Sequence, residues 1–210
     1  EFVKEEIYIP QIDCNYYQSG YSVAKSIESQ IKILRQTFSL TGHFNSEMLA
    51  TIDKDKLDCN TDSDGWFAIP HWSQIGMTYH EAVMKVFEVL SNLKERKGAY
   101  IAYESSLLVK ETEEKTAVME KLFHQQETKN VIIQAQLGKQ HRGRSARRMN
   151  AVMSPIEFPL GIYEIGIILL THTDRLMLVD DDIHILCSGS INHGDSAQVM
   201  NVGCYEGQFR

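Results

Sequence analysis

The stretch NVIIQAQLGKQHRGRSARRMNAVMSPIEFPLGIYEIGIILL, residues 130 to 170, decides the fold class because its apolar period changes along its length. At the start, Val131, Ile133, Ala135 and Leu137 alternate with Ile132, Gln134 and Gln136, which predicts a strand. ARRMNAVM (146–153) follows Ser145, a good N-cap, and is stopped by Pro155, so a short helix is expected there. Residues 159–171 are apolar on every side, the pattern of a buried helix, and Glu164 is the one carboxylate inside it. The run is too short to cross a bilayer. Strand and helices in succession imply layers, an α/β or α+β fold with several helices packed on a small mixed sheet.

Working outward, SVAKSIESQIKILRQTF (22–38) puts Val23, Ile27, Ile31, Leu34 and Phe38 on one helical stripe. Residues 41–65 are polar and turn-rich, a long connection. Thr78 and Glu81 form a capping box before AVMKVFEVLSNLKERK, a helix expected to run to Gly98. AYIAY (99–103) reads as a strand, and 111–127 as a polar helix with Val118, Leu122 and Phe123 inward. LMLV (176–179) and IHILC (183–187) read as closing strands around Asp180, Asp181 and Asp182. The last twenty residues have no clear period. Residues 1–210 are read as a single globular domain, with 1–60 as a helical part that stands apart in the alternative reading.

The chain carries 21 basic and 28 acidic residues, net charge -7. Its four cysteines, Cys14, Cys59, Cys187 and Cys204, are far apart and form no zinc or disulfide framework. That usage, with no basic-then-apolar leader at the N-terminus, leads to a cytoplasmic expectation.

Against this acidity, Lys139, Arg142, Arg144, Arg147 and Arg148 crowd into ten residues. With Ser145 as N-cap, a positive helix end, unpaired backbone N–H groups and several guanidinium forks would meet, which suits a phosphate. Gly138 and Gly143 allow close backbone approach, and His141 adds a donor at the rim. The expected anion site is therefore Lys139, Arg142, Arg144, Ser145, Arg147 and Arg148. The competing reading is structural: Arg147 or Arg148 pairs with Glu164, because a buried carboxylate needs a partner.

Other chemistry is weaker. NTDSDG (60–65) imitates a calcium loop through Asn60, Asp62, Asp64 and Gly65, but His71 replaces the bidentate Glu and Pro70 breaks the exit helix, so an acidic turn is expected. An alternative divalent-metal set is His172, Asp174, Asp180, Asp182 and His184, although no two of them sit at a diagnostic spacing. G-x-S-x-G, Walker A and G-x-G-x-x-G patterns are absent from the sequence.

Three segments, GWFAIPHW (65–72), QAQLGKQHRGRSARR (134–148) and EFPLGIYEIGIILLTHTDRL (157–176), carry a resemblance. In them the chain resembles an uncharacterised family of bacteriophage and bacterial proteins, and departs from it after about residue 188. The resemblance implies a phage or bacterial, intracellular protein and assigns no activity. The expectation is a non-enzymatic binding protein that holds a phosphate of short single-stranded nucleic acid or a nucleotide, without a cofactor. The alternatives are a metal-dependent phosphoesterase or hydrolase, and a phage module docking on a host protein.

Overall fold

The computed structural model describes residues 24–40, 43–44, 63–93, 108–137, 141, 144–173, 175, 183–193, 195–205 and 208–209. Helix α1 (Ile27–Phe38) starts at Ser26, whose side chain accepts the Ser29 N–H, and buries Ile27, Ile31 and Leu34 as the stripe requires. These side chains join one core with the strands and the later helices, so the described part of residues 1–60 packs with the rest.

Strand β1 (Gly65–Pro70) pairs antiparallel with β3 (Asn130–Ala135), from Gly65 opposite Ala135 to Pro70 opposite Asn130. Two strands alone leave both outer edges unpaired, and buried backbone groups must find partners. Two buried glutamines supply them. Gln30 of α1 donates to the Trp66 carbonyl and accepts the Ala68 N–H, while Gln126 donates to the Ile132 carbonyl and accepts its N–H. Gly65 enters β1 at φ +136°, and a Cβ there would lie 2.5 Å from the Ala24 Cβ.

Helix α2 (Tyr79–Ser91) is capped by Thr78, whose hydroxyl accepts the Glu81 N–H at 3.1 Å, while Glu81 accepts the Met77 N–H. It ends at Ser91, short of the expected Gly98, with the Asn92 N–H closing onto the last carbonyls. Helix α5 (Ile162–Thr171) is buried along its whole length, as its composition dictates. It lies close to α2 because Gly166 leaves room: a Cβ there would come within 2.8 Å of Val86 Cγ1 and 2.9 Å of Phe87 Cε2.

The second sheet has the order β2 (Val109–Glu111), β4 (Ile183–Asn192), β5 (Asp195–Tyr205) and β6 (Gln208–Phe209), all antiparallel. Helix α3 (Glu113–Gln125) follows β2 after the single residue Thr112, and α4 (Ala146–Val152) is the short helix capped by Ser145. The protein is thus α+β, and the described residues form two antiparallel sheets where one mixed sheet was expected.

A further expectation changes, and two regions that the apolar period left unassigned are strands. The buried stripe of α3 is Lys115, Met119 and Phe123, with Val118 and Leu122 only half-buried, so a lysine lies where the core begins. Gly65–Pro70 is a strand, and the C-terminal region forms β5 and β6. The strands expected at 99–103 and 176–179 lie outside the described residues.

Candidate functional site

Of the expected anion-binding residues, Lys139 and Arg142 lie outside the described residues, as does the side chain of Arg147. Ser145 caps α4 and accepts the Arg148 N–H at 3.3 Å; the Arg148 side chain is exposed. Arg144 is half-buried, and its guanidinium donates to His141 Nδ1 at 2.8 Å. A guanidinium can only donate, so Nδ1 accepts and the ring proton sits on Nε2. That nitrogen faces Glu157 Oε1 at 3.4 Å. The Ser154 N–H and, more weakly, His141 hold the Glu157 carboxyl below its usual range, against partial burial. Glu157 thus stands beside the His141 ring, and His141 orients Arg144.

Glu164 does not wait for an arginine. Its Oε1 lies 2.7 Å from Lys115 Nζ, and its Oε2 accepts the Gly161 N–H at 3.0 Å. Glu164 is 1% exposed, and the cation that reaches it must come from a packed neighbour, here the first turn of α3. Lys115 is itself 0% exposed and also pairs with Glu111 at the end of β2. Its ammonium sits 4.7 Å from the centre of the Tyr79 ring.

Hydroxyl groups complete this network. Tyr79 Oη and Ser190 Oγ are 2.7 Å apart, Ser190 accepts the Ile162 N–H, and Tyr163 donates to the Pro70 carbonyl at 2.9 Å. Gly161 is needed at the centre, because a Cβ there would come within 2.5 Å of both Ser190 Oγ and Tyr79 Oη. Burial, and then the charge of Glu164, push the Tyr79 and Tyr163 phenols well above their ordinary value and raise the Cys187 thiol too.

A narrow cleft lies beside this network. Glu111 and Glu164 form part of its lining with His71, Trp72, Glu120 and Phe123, and it holds about 10 Å³, close to the room one water needs. His71 Nε2 stands 3.4 Å from Glu120 Oε1 at the mouth. The His71 ring packs edge-on against Phe123, centroids 4.8 Å apart, and lies 5.0 Å from Trp72.

The metal alternative fares differently at each residue. His172 is fully buried, its Nε2 accepts the Lys25 N–H at 2.9 Å, and its Nδ1 faces Thr171 Oγ1 and the Ile168 carbonyl. Both ring nitrogens are engaged, so His172 is a core histidine with no lone pair left for a metal. Asp174, Asp180, Asp182 and the His184 side chain lie outside the described residues. Among the described residues no group of three His, Cys, Asp or Glu side chains could hold a metal ion. In the calcium-like turn, Asp64 accepts the Leu137 N–H and lies 3.8 Å from buried Arg175, whose guanidinium stands 5.1 Å from the Phe67 ring. Asn60 and Asp62 lie outside the described residues. No helix among the described residues is long and apolar enough to cross a membrane.

Sequence reasoning passed over Lys115 and Glu111. The signal was present: Glu111 and Lys115 stand four apart around the Thr112 cap, and Lys115, Met119 and Phe123 share one helical face. No protein-family model, curated protein or solved structure matches the chain.

Proposed function

We propose that this is a binding protein whose basic segment, from Lys139 to Arg148, holds a phosphate group of a short single-stranded nucleic acid or a nucleotide. The observation that carries the reading is the pairing of Glu164 with Lys115. The buried carboxylate that would have given Arg147 or Arg148 a structural task is paired with Lys115 of α3. Two features of the segment add support. Arg144 is oriented by His141, so less side-chain freedom is lost when it meets an anion. The first turn of α4 contains no acidic residue, yet it bears Arg147 and Arg148 beside the positive end of the helix. The acidity of the remaining chain favours a short strand or nucleotide over a long duplex, which needs a broad basic surface.

The test is fluorescence anisotropy with labelled short single-stranded RNA and DNA across a salt series. About four phosphate contacts predict a log–log salt slope near -3, and Arg147→Ala/Arg148→Ala should roughly halve it. Absence of binding at low salt would remove nucleic acid as the partner, and a nucleotide titration would then decide the phosphate reading itself.

A further inference from the structure

The two nitrogens of the His141 ring have neighbours of opposite charge. Nδ1 accepts from the Arg144 guanidinium at 2.8 Å, and Nε2 faces Glu157 Oε1 at 3.4 Å. We propose that the basic segment takes up its anion together with one proton, which His141 binds at Nδ1. This coupling rests on the phosphate reading above and names the regulation of that same site.

A ring nitrogen that carries a proton donates and cannot accept. Once Nδ1 is protonated, it and Arg144 Nη1 are two donors aimed at each other, and the contact that now holds them must open. The backbone keeps the two residues together, because the Arg144 N–H donates to the His141 carbonyl at 3.3 Å. An oxygen of an anion set between the parted side chains accepts from both, giving two charge-assisted hydrogen bonds where two donors would otherwise clash. The neutral ring works against this arrangement. It occupies an Arg144 donor and turns a lone pair toward the place where the anion would sit.

Glu157 lets the ring hold the proton. The His141 side chain is 9% exposed, and a cation so enclosed needs a counter-charge. The carboxylate is itself fixed, since its Oε2 accepts the Ser154 N–H at 2.7 Å. His141 Nε2 is buried and has no hydrogen-bond partner at normal geometry, so a closer imidazolium–carboxylate pair would satisfy it. Among the described residues the charged groups in contact with His141 are Arg144, from its own loop, and Glu157, from the segment between α4 and α5. With neutral His141 these two charges balance. The added proton leaves one positive charge in excess, which an anion offsets. Proton and anion then promote each other's binding by the same factor, as linked ligands must.

The test is fluorescence anisotropy of a rhodamine-labelled hexathymidylate at about pH 5.5 and about pH 8, a window in which imidazoles titrate and phosphodiesters do not, at fixed ionic strength. Wild type should bind about tenfold or more tightly at the lower pH. In His141→Asn the amide oxygen still accepts from Arg144 but takes no proton; this variant should match wild type at the higher pH and tighten less than about threefold at the lower. Glu157→Gln keeps an acceptor for the Ser154 N–H without the charge, and should likewise reduce the change to about threefold or less. Calorimetry in buffers of different ionisation enthalpy should show proton uptake on binding by wild type that His141→Asn lacks. Equal pH dependence in wild type and folded His141→Asn, or binding without proton uptake, would overturn the coupling and leave the phosphate reading standing. Should His141→Asn not fold, an unchanged pH dependence in Glu157→Gln overturns it instead. Absence of binding at both pH values would overturn the phosphate reading and the coupling with it.

Discussion

Lys115 and Arg148 occupy the same local position. Each is the third residue after a hydroxyl cap, Thr112 for α3 and Ser145 for α4, and each donates its backbone N–H to that cap. A cation there opposes the helix dipole. Around Lys115 the conflict is offset by Glu113 and Glu114 in the first turn, and by Glu111 and Glu164 on the ammonium itself. Around Arg148 the first turn has no carboxylate and the side chain is exposed. The same cap-and-cation pattern thus carries a core ion pair in one helix and an exposed arginine in the other. What separates them is the tertiary neighbourhood, not the local sequence.

The comparison breaks most readily at Lys115. Lys115→Met leaves buried Glu164 and half-buried Glu111 without their cation and should cost about 3–5 kcal/mol in urea unfolding. A loss below about 1 kcal/mol would mean that the cluster is not held by charge.

High pH probes the same region without mutation. Tyr79, Tyr163 and Cys187 keep their protons more tightly when folded than at their ordinary values of 10.0, 10.0 and 9.0. Raised folded values contribute stability that is intact below the unfolded values and lost as pH climbs. Stability should be flat up to about pH 9 and then fall, by up to about 1.4 kcal/mol per pH unit for each group. Urea midpoints from pH 8 to 11 measure it, and a flat profile would contradict the buried network.

The caps provide the finer contrast. Thr112→Ala should cost about 1–2 kcal/mol, because α3 carries Lys115 into the core, and Ser145→Ala about 0.5 kcal/mol, because α4 is short and largely exposed. Thermal unfolding of the two variants side by side checks the order. Equal losses would show that α4 is as firmly built into the fold as α3.

Much of this was legible in the sequence. The Ile27, Ile31 and Leu34 stripe, the Thr78 and Ser145 caps, the strand at Asn130–Ala135 and the all-apolar helix around Glu164 follow from period and capping chemistry. Other parts depend on contacts that have no local signature. Gly65–Pro70 is buried on nearly all sides, so it does not alternate, and its free edge is completed by Gln30 from a distant helix. The bulged pairing of β4 with β5 blurs the two-residue period that would have marked the C-terminal hairpin. For the sites, the need of Glu164 for a cation was readable, but its donor was not. Lysine is seldom buried, and the choice between Lys115 and the arginines is made by the tertiary approach of Lys115 to Glu164.

The most direct test of this division is urea unfolding of Arg147→Ala/Arg148→Ala. If these arginines serve a partner, the variant should unfold within about 0.5 kcal/mol of wild type, as surface substitutions do. A loss of about 2 kcal/mol or more would make the basic segment part of the fold's own charge network and contradict the account.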